Sequence, residues 1–162
     1  MTTEVKRNTW TRFCKKFNAT NQLRLATVTI APRGGQPAAV YQNTPFLGLT
    51  FTRKGRAIDG VELFTSRFDP DRLAEPVVSV KQPARIILEK DQNGADSRLT
   101  VEAKDGTVAS VLLTSVVFPE QVFVEKVAYS IYERRGHADG GHVDDWLEAE
   151  RRVKQTELQF AR

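Results

Sequence analysis

Two histidines and three aspartates lie within nine consecutive positions of the chain: His137, Asp139, His142, Asp144 and Asp145. Imidazole and carboxylate groups are common ligands of divalent metal ions. Their spacing matches no standard metal site, and the two adjacent aspartates also fit the first turn of a helix, where exposed N–H groups favour anions. A zinc site needs three or four convergent ligands. We therefore expect no metal site in this segment and no cofactor.

Cys14 is the only cysteine and the one candidate nucleophile of its kind. It falls on the apolar side of a predicted helix, so we expect an inert thiol in the core, far in sequence from both histidines. The chain contains no phosphate-binding loop, no dinucleotide-binding glycine motif and no nucleophile elbow. The run Arg33-Gly34-Gly35 is too short to cradle a phosphate specifically. These observations predict a protein that is not an enzyme.

The histidine and aspartate segment lies between two stretches with helical periodicity. In the first stretch, apolar and aromatic side chains recur at i, i+3, i+4, i+7 and i+8, namely Val124, Val127, Ala128, Ile131 and Tyr132. Pro119 suits the first helical turn, and Gly136 suits the left-handed position just beyond the helix end. Arg134 and Arg135 then lie where the helix dipole favours cations.

A second helix is predicted after a turn through Gly140 and Gly141. It begins near Asp144 and Asp145 and runs to about Phe160. Its predicted apolar stripe consists of Val143, Trp146, Leu147 and Val153. Two acid–base pairs four residues apart, Glu148 with Arg152 and Glu150 with Lys154, are expected on its solvent side. Residues 119–162 are therefore predicted to form a helical hairpin.

The hairpin segment resembles a widespread bacterial family known only as a domain of unknown function. The family pattern is approximately A-x3-[WY]-x3-G-x-P-x-G-x5-W-L-x-A-E, and the residues that match it in register are Ala128, Tyr132, Gly136, Gly140, Trp146, Leu147, Ala149 and Glu150. Ala138 stands where the family usually has proline. The resemblance covers about two dozen residues, and it implies a small helical module with no established activity.

The first part of the chain resembles a second uncharacterised bacterial family. The resemblance is carried by Trp10, Phe13 and Phe17, by the long β-rich region after them, and by a late turn at Asp105-Gly106-Thr107. The same three aromatic residues, together with Cys14, recur at helical spacing, so they predict an amphipathic helix whose other faces are basic.

From Leu23 onward the pattern changes to the period of two that is typical of strands. The predicted strands are Leu23 to Ile30, Ala38 to Gln42, Phe46 to Thr52, Val61 to Ser66, Val77 to Lys81, Arg85 to Lys90, Arg98 to Ala103 and Thr107 to Thr114. Tight-turn signals at Asn93-Gly94 and Asp105-Gly106 predict consecutive antiparallel hairpins. The predicted fold class is α+β: an N-terminal amphipathic helix packed on a curved antiparallel β-meander or small barrel (residues 1–118), followed by the C-terminal helical hairpin (residues 119–162).

Composition narrows the class of protein. The chain has 162 residues, of which 40% are hydrophobic, enough to bury a core. We predict a cytoplasmic protein, because the chain has a single cysteine and a polar N-terminus. We also predict no membrane partner, because no apolar run is long enough to cross a bilayer. Residues 1–118 carry 17 Lys and Arg against 11 Asp and Glu, whereas residues 119–162 carry 7 against 9. The body is therefore basic and the hairpin mildly acidic.

The hairpin is expected to mediate protein–protein association. Two short helices cannot build a sufficient core from their own residues, so they must rest on the β body or offer apolar surface to another chain. We therefore predict a non-enzymatic adaptor or accessory protein that binds a protein partner or another copy of itself. The predicted partner-binding residues are Tyr129, Tyr132, Trp146, Leu147 and Val153.

Sequence-independent binding of nucleic acid is the alternative function. Lys and Arg side chains neutralise phosphates and release counterions, and the candidate residues are Lys6, Arg7, Arg12, Lys15, Lys16, Arg53, Lys54 and Arg56. The aromatic stripe of the first helix instead favours docking on the sheet, with its lysines keeping the helix soluble. Arg53, Lys54 and Arg56 would form a phosphate-contacting patch only if they lay close to that helix. A small-molecule sensor using the mouth of the β body is a third possibility by analogy of fold.

Overall fold

The computed structural model describes residues 1–161 and has an α+β architecture. A short strand and a 3₁₀ turn precede the first helix, seven more strands follow, and two helices form a hairpin. The elements are β1 (Thr2–Glu4), a 3₁₀ turn (Arg7–Thr9), α1 (Trp10–Asn21), β2 (Arg24–Ala31), β3 (Ala38–Lys54), β4 (Ala57–Thr65), β5 (Glu75–Lys81), β6 (Pro83–Lys90), β7 (Asp96–Ala103), β8 (Val108–Val117), α2 (Glu120–Arg134) and α3 (His142–Ala161). The predicted fold class is confirmed.

The strands form one open antiparallel sheet in the order β1-β6-β7-β8-β2-β3-β4-β5. Two meanders, β2 to β5 and β6 to β8, are joined where β8 pairs with β2. Only Gln82 separates β5 from β6. Its N–H donates to the Asp59 carbonyl at 2.7 Å and its carbonyl accepts from Lys104 N–H at 3.0 Å. Because one residue links β5 to a strand near the other end of the order, the sheet must curl strongly.

The predicted tight turns of the second meander are confirmed. Gly94 and Gly106 adopt φ values of 81° and 92°, in the left-handed region that glycine enters without strain. The Asp91 carboxylate accepts hydrogen bonds from Asn93 N–H at 2.8 Å and Ala95 N–H at 3.0 Å. The Asp105 carboxylate accepts from Thr107 N–H at 2.8 Å. These aspartate turns set the registers of β6 with β7 and of β7 with β8.

Two strand predictions need correction. The separate strands predicted at 38–42 and 46–52 are one strand, β3, of 17 residues. Asn43, at φ 51°, and Pro45 interrupt the alternating pattern, but the strand continues through them. β1 was missed because three polar residues carry no period; it pairs with β6 from Thr2↔Glu89 to Glu4↔Ile87.

The main core lies between α1 and the concave face of the sheet. Trp10 and Phe17 of α1 are almost fully buried, and Cys14 is buried between them. Trp10 stacks on Phe51 with 5.8 Å between ring centroids, and Phe17 meets Phe46 edge-on at 5.6 Å. The predicted docking of the first helix on the sheet is therefore confirmed.

Polar side chains of α1 also satisfy the backbone of β3. The first part of β3 pairs with β2 and the second part with β4, so beyond Pro45 no β2 residue pairs with the edge of β3 opposite β4. The Asn18 amide donates to the Leu49 carbonyl at 2.9 Å and accepts from Leu49 N–H at 2.8 Å. Gln22 Nε2 donates to the Leu47 carbonyl at 3.3 Å and to the Glu157 carbonyl of α3 at 3.0 Å. Gln22 therefore ties both β3 and α3 to α1.

The hairpin rests on the β body through a second hydrophobic cluster. Its buried members are Leu23, Leu47, Leu73, Phe123, Val124, Val127, Ala149, Val153 and Phe160. Phe160 is 1% exposed and lies 5.0 Å from Phe64, centroid to centroid. Its ring lies so close to the backbone of Gly48 that a Cβ there would be 2.5 Å from Phe160 Cδ1. The absence of a side chain at Gly48 therefore lets α3 reach the sheet.

Arginine pairs hold the rim of the hairpin to the segment between β4 and β5. Arg134 of α2 contacts Asp69 at 2.7 Å and also pairs with Asp71. Arg152 of α3 donates to the Pro70 carbonyl at 2.7 Å and to Asp71 at 3.2 Å. Both helices are thus fixed to the same surface segment.

The predicted apolar stripe of the second helix is wrong at two of its four residues, whereas Val153 is buried and Trp146 packs partly buried against the same cluster, as predicted. Val143 is 72% exposed and Leu147 is 56% exposed. The buried side chains of α3 are instead Asp145, Ala149, Val153, Thr156 and Phe160. A prediction from hydrophobicity places polar residues such as Asp145 and Thr156 on the solvent side of the helix. Asp145 is nevertheless buried, because its carboxylate pairs with Arg135.

Other details of the hairpin were predicted with mixed success. Gly136 has φ 76° beyond the end of α2, as expected, but Pro119 precedes α2 as its N-cap and does not lie in its first turn. Glu148 and Arg152 form the predicted pair at 2.6 Å. Glu150 and Lys154 form no ion pair within 4.0 Å in the part of the chain that is described. Within residues 1–161, no helix is long and apolar enough to cross a membrane.

Replacing Gly48 with alanine tests how the hairpin is anchored. The new methyl group must displace the Phe160 ring, so we expect the free energy of unfolding to fall by about 1–3 kcal/mol, the usual cost of overpacking a core. Urea unfolding measures the change. In a Phe160→Ala background the same substitution should cost at least about 0.5 kcal/mol less, since contacting residues couple. Equal costs in the two backgrounds would contradict this anchoring contact.

Candidate functional site

An ion pair between the residue that follows α2 and the first turn of α3 lies at the loop end of the hairpin. The Arg135 guanidinium donates to both carboxylate oxygens of Asp145, with Nε–Oδ1 3.2 Å, Nε–Oδ2 3.0 Å and Nη2–Oδ2 2.8 Å. Asp145 is 7% exposed. A carboxylate buried to this extent needs such a partner. The pair therefore fixes how the first turn of α3 meets the end of α2.

The loop between the helices wraps around the Arg135 side chain. Arg135 Nη1 also donates to the Ala138 carbonyl. A Cβ at Gly141 would be 2.8 Å from Arg135 Nη2, so the backbone passes directly over the guanidinium. His137, which has φ 61°, places its ring 4.8 Å from that of Tyr132. Arg135 thus organises the loop, whose turn is predicted from the sequence only by its glycines.

A groove of about 370 Å³ lies on the outer side of the hairpin, next to this ion pair. The residues that line it are Glu125, Ala128, Tyr129, Tyr132, His142, Asp145 and Trp146. The Tyr132 ring is 6.0 Å from the Tyr129 ring and 6.1 Å from the His142 ring, both centroid to centroid. Tyr129 is 56% exposed. The groove therefore presents several aromatic rings to solvent.

The charged side chains that line the groove are the carboxylates of Glu125 and Asp145, and the Arg135 guanidinium lies beside them, 5.3 Å from the Tyr132 ring centroid. Asp145 is already paired with Arg135. Glu125 has no ion-pair partner within 4.0 Å among residues 1–161. The nearby charge of Glu133 raises the pKa of Tyr129, because it disfavours the phenolate. No lysine or arginine is among the described residues that line the groove.

Three of the five predicted partner-binding residues meet in this groove: Tyr129, Tyr132 and Trp146. Leu147 follows Trp146 and is exposed on the outer face of α3. Val153 is fully buried in the cluster between hairpin and sheet, so its side chain faces away from solvent.

The contributions of Glu125 and His142 to the groove are not predicted from the sequence, and neither is the link between Arg135 and Asp145. Each charge of that pair is predicted there only from the dipole of its own helix. A signal was nevertheless present, because opposite charges flank a glycine-rich loop at the facing ends of two predicted helices.

The residues weighed as metal ligands or nucleophile have other contacts. Asp145 pairs with Arg135, and the rings of His137 and His142 lie beside Tyr132. Among the described residues, no three His, Cys, Asp or Glu side chains are arranged to hold a metal ion. Cys14 donates to the Leu49 carbonyl with an Sγ–O distance of 3.0 Å, and burial raises the pKa of its thiol to about 11.

The residues of the alternative, nucleic-acid interface lie on α1 and the β3–β4 turn. Arg12, Lys15 and Lys16 share one exposed face of α1. Arg53 Nη2 donates to Thr11 Oγ1 on α1 at 3.0 Å, which brings the β3–β4 turn against that helix. Lys6, Lys54 and Arg56 are also exposed.

Arg7 is held by internal contacts even though it reaches the surface. Its guanidinium lies 4.5 Å from the centroid of the Trp10 ring and donates to the Pro83 carbonyl at 3.0 Å. Of the eight residues predicted to bind nucleic acid, Arg7 is therefore the one whose side chain packs at the edge of the core.

Comparison with known proteins gives one family match. Residues 124–155 match a family described as "Protein of unknown function (DUF2934)". The matched range runs from α2 into α3, and it contains the loop and every residue that lines the groove. No curated protein and no solved structure matches the chain. The C-terminal region therefore matches an uncharacterised family, while the resemblance of residues 1–118 to a second family stays a prediction.

Replacing Arg135 with methionine tests whether the ion pair organises the hairpin loop. The substitution keeps most of the aliphatic stem but leaves the buried Asp145 carboxylate without its partner. We expect amide hydrogen exchange in the first turn of α3 to quicken by about tenfold or more.

The matched control is the double variant Arg135→Met/Asp145→Asn. Removing the buried charge as well should restore much of the protection. Unchanged exchange in the single variant, or no recovery in the double variant, would show that the loop is organised by other contacts.

Proposed function

We propose that the protein is a cytoplasmic, non-enzymatic adaptor that binds a protein partner through the outer face of its helical hairpin. The observation that carries the proposal is the collection of Tyr129, Tyr132 and Trp146 in one groove. Aromatic side chains supply large contact areas at interfaces and dominate their energetic hot spots. The inner face of the hairpin already packs on the sheet, and Trp146 contacts that buried cluster with part of its side chain, so the proposal rests on the surface that remains exposed around the groove.

Apolar side chains extend this surface along α3. Val143 and Leu147 are 72% and 56% exposed and lie one turn apart beside Trp146. A groove of this size accepts one or a few side chains of a partner, while the exposed residues around it supply the remaining contact. Together they form a surface that a partner protein or a second copy of this chain could cover.

A site-specific cross-linker tests the proposed partner surface. A photoreactive phenylalanine analogue at Leu147 should form a protein adduct in the source cells. The same analogue at Leu158 is the matched control, because Leu158 is exposed to a similar extent on α3, whereas Leu147 directly follows the groove residue Trp146 and Leu158 lies about three helical turns farther along. An adduct of twice the chain mass would identify the partner as a second copy.

Adding Tyr129→Ala to the Leu147 probe should reduce the yield of that adduct by about tenfold, because loss of a hot-spot aromatic weakens binding to this degree. Equal adducts from the two probe positions, or no adduct at either, would contradict the proposed function.

Sequence-independent nucleic-acid binding is a second candidate. The specific observation that favours it is the hydrogen bond from Arg53 to Thr11, because it places the β3–β4 turn beside the basic face of α1. Arg12, Lys15, Lys16 and Arg53 have no acidic partner within 4.0 Å in the described chain. Unpaired cations on one surface are what phosphate contacts require.

Fluorescence anisotropy with a labelled oligonucleotide at several salt concentrations tests this second candidate. Removing two phosphate contacts with Lys15→Ala/Arg53→Ala should lower the slope of log affinity against log salt by about 1.4–1.8, at about 0.7–0.9 per contact. Lys104→Ala, an exposed lysine in the β7–β8 turn, is the control and should leave the slope unchanged. Absence of binding at low salt would rule the candidate out.

A further inference from the structure

We infer that the hairpin groove recognises an arginine side chain of the partner protein. This inference rests on the proposed function and names the chemistry of the partner. The walls of the groove are two tyrosines, a tryptophan and a histidine, and the polar side chains among its lining residues include two carboxylates. The faces of aromatic rings carry negative potential and attract cations. The groove thus combines ring faces with carboxylates, while the adjoining Arg135 is paired with Asp145. Arg67 and Lys126 line the neighbouring pocket that shares Glu125 and Tyr129.

The carboxylate that could bind an incoming cation can be identified. Arg135 already satisfies Asp145 with three contacts of 2.8–3.2 Å. Glu125 lines the groove without an ion-pair partner among the described residues. Glu133 adds a further negative charge beside Tyr129. A cation entering between the rings would therefore meet a carboxylate that has no internal partner to give up.

The hairpin itself supplies an example of the same recognition. The Arg135 guanidinium carbon lies 5.3 Å from the centroid of the Tyr132 ring while its nitrogens bond the Asp145 carboxylate. One ring face and one carboxylate thus hold one guanidinium. Tyr129, Trp146 and Glu125 line the same groove, and they are the same types of group: aromatic rings and a carboxylate.

Arginine fits this site better than lysine. A planar guanidinium stacks on rings and can bind a carboxylate with two parallel hydrogen bonds, whereas an ammonium acts as a strongly hydrated point charge. The volume of about 370 Å³ admits one long side chain, and the small side chain of Ala128 is among those that line it. The expected occupant is therefore the tip of an arginine on the surface of the partner.

Nuclear magnetic resonance of the full chain tests this inference. The probe is N-acetyl-arginine amide, and the signal is the indole N–H of Trp146, which is distinguished from that of the buried Trp10 by a Trp146→Phe variant. We expect a saturable shift of the Trp146 signal with millimolar affinity and no shift of the Trp10 signal. N-acetyl-citrulline amide, which has nearly the same shape without the charge, should leave both signals in place, and N-acetyl-lysine amide should bind several-fold more weakly.

Two variants locate the carboxylate that is responsible. Glu125→Gln should weaken binding of the arginine probe by about fivefold or more, as expected for loss of a charge-assisted contact. Asp144→Asn removes the same charge from an exposed position outside the groove and should leave the affinity unchanged. Equal effects of the two variants would overturn the role of Glu125 and with it the inference.

The outcomes separate this inference from the proposed function. If the Leu147 cross-linker captures a partner but the arginine probe leaves Trp146 unshifted, or citrulline shifts it equally, the inference is overturned and the adaptor proposal stands. If the shift depends on charge but no partner is captured, the adaptor proposal is overturned and recognition of a cation by the groove is supported.

Discussion

The architecture depends on one backbone requirement, which arises where β3 changes neighbours. Its first part pairs with β2 and its second part with β4, so beyond Pro45 no β2 residue pairs with the edge of β3 opposite β4, where the Leu47 carbonyl and the Leu49 N–H and carbonyl lie. Buried peptide groups without partners are costly. Asn18 of α1 and Gln22, the residue that caps the end of α1, supply the hydrogen bonds that a strand would otherwise make. Because Gln22 also bonds the Glu157 carbonyl, the same helix fixes the sheet and the hairpin relative to each other.

The two faces of the hairpin have different surroundings. The inner face meets the sheet, where Phe160 lies against the bare backbone of Gly48, and the rim is held by arginine pairs to the β4–β5 segment. The outer face keeps its aromatic residues available around a groove. A rigid inner attachment matters for binding, because a site on fixed helices loses little conformational freedom when a partner is bound. The ion pair between Arg135 and Asp145 then sets the shape of the groove itself.

The sequence predicts best what depends on local periods and turn residues. The stripe of Trp10, Cys14 and Phe17, the glycine turns of the second meander and the two C-terminal helices all follow from such signals. The burial of Asp145 on α3 does not, because it depends on a charge ten residues earlier in the chain. The aromatic residues of the groove could be named from their type, but their convergence, and the burial of Val153, depend on how the helices pack against the sheet. The proximity of Arg53 to Thr11 is likewise a long-range contact.

The link between Gln22 and Glu157 also has a consequence for biosynthesis, since these residues are 135 positions apart. A ribosome makes α1 and the strands before the hairpin, at about 5–20 residues per second. During that interval, Leu47, Leu73 and Phe64 lack the helices that later cover them. These hydrophobic side chains of the nascent chain are therefore exposed to solvent for several seconds. Chaperones protect growing polypeptides in such a state from aggregation. A pause in translation before the hairpin is made would lengthen the time for which these side chains are exposed.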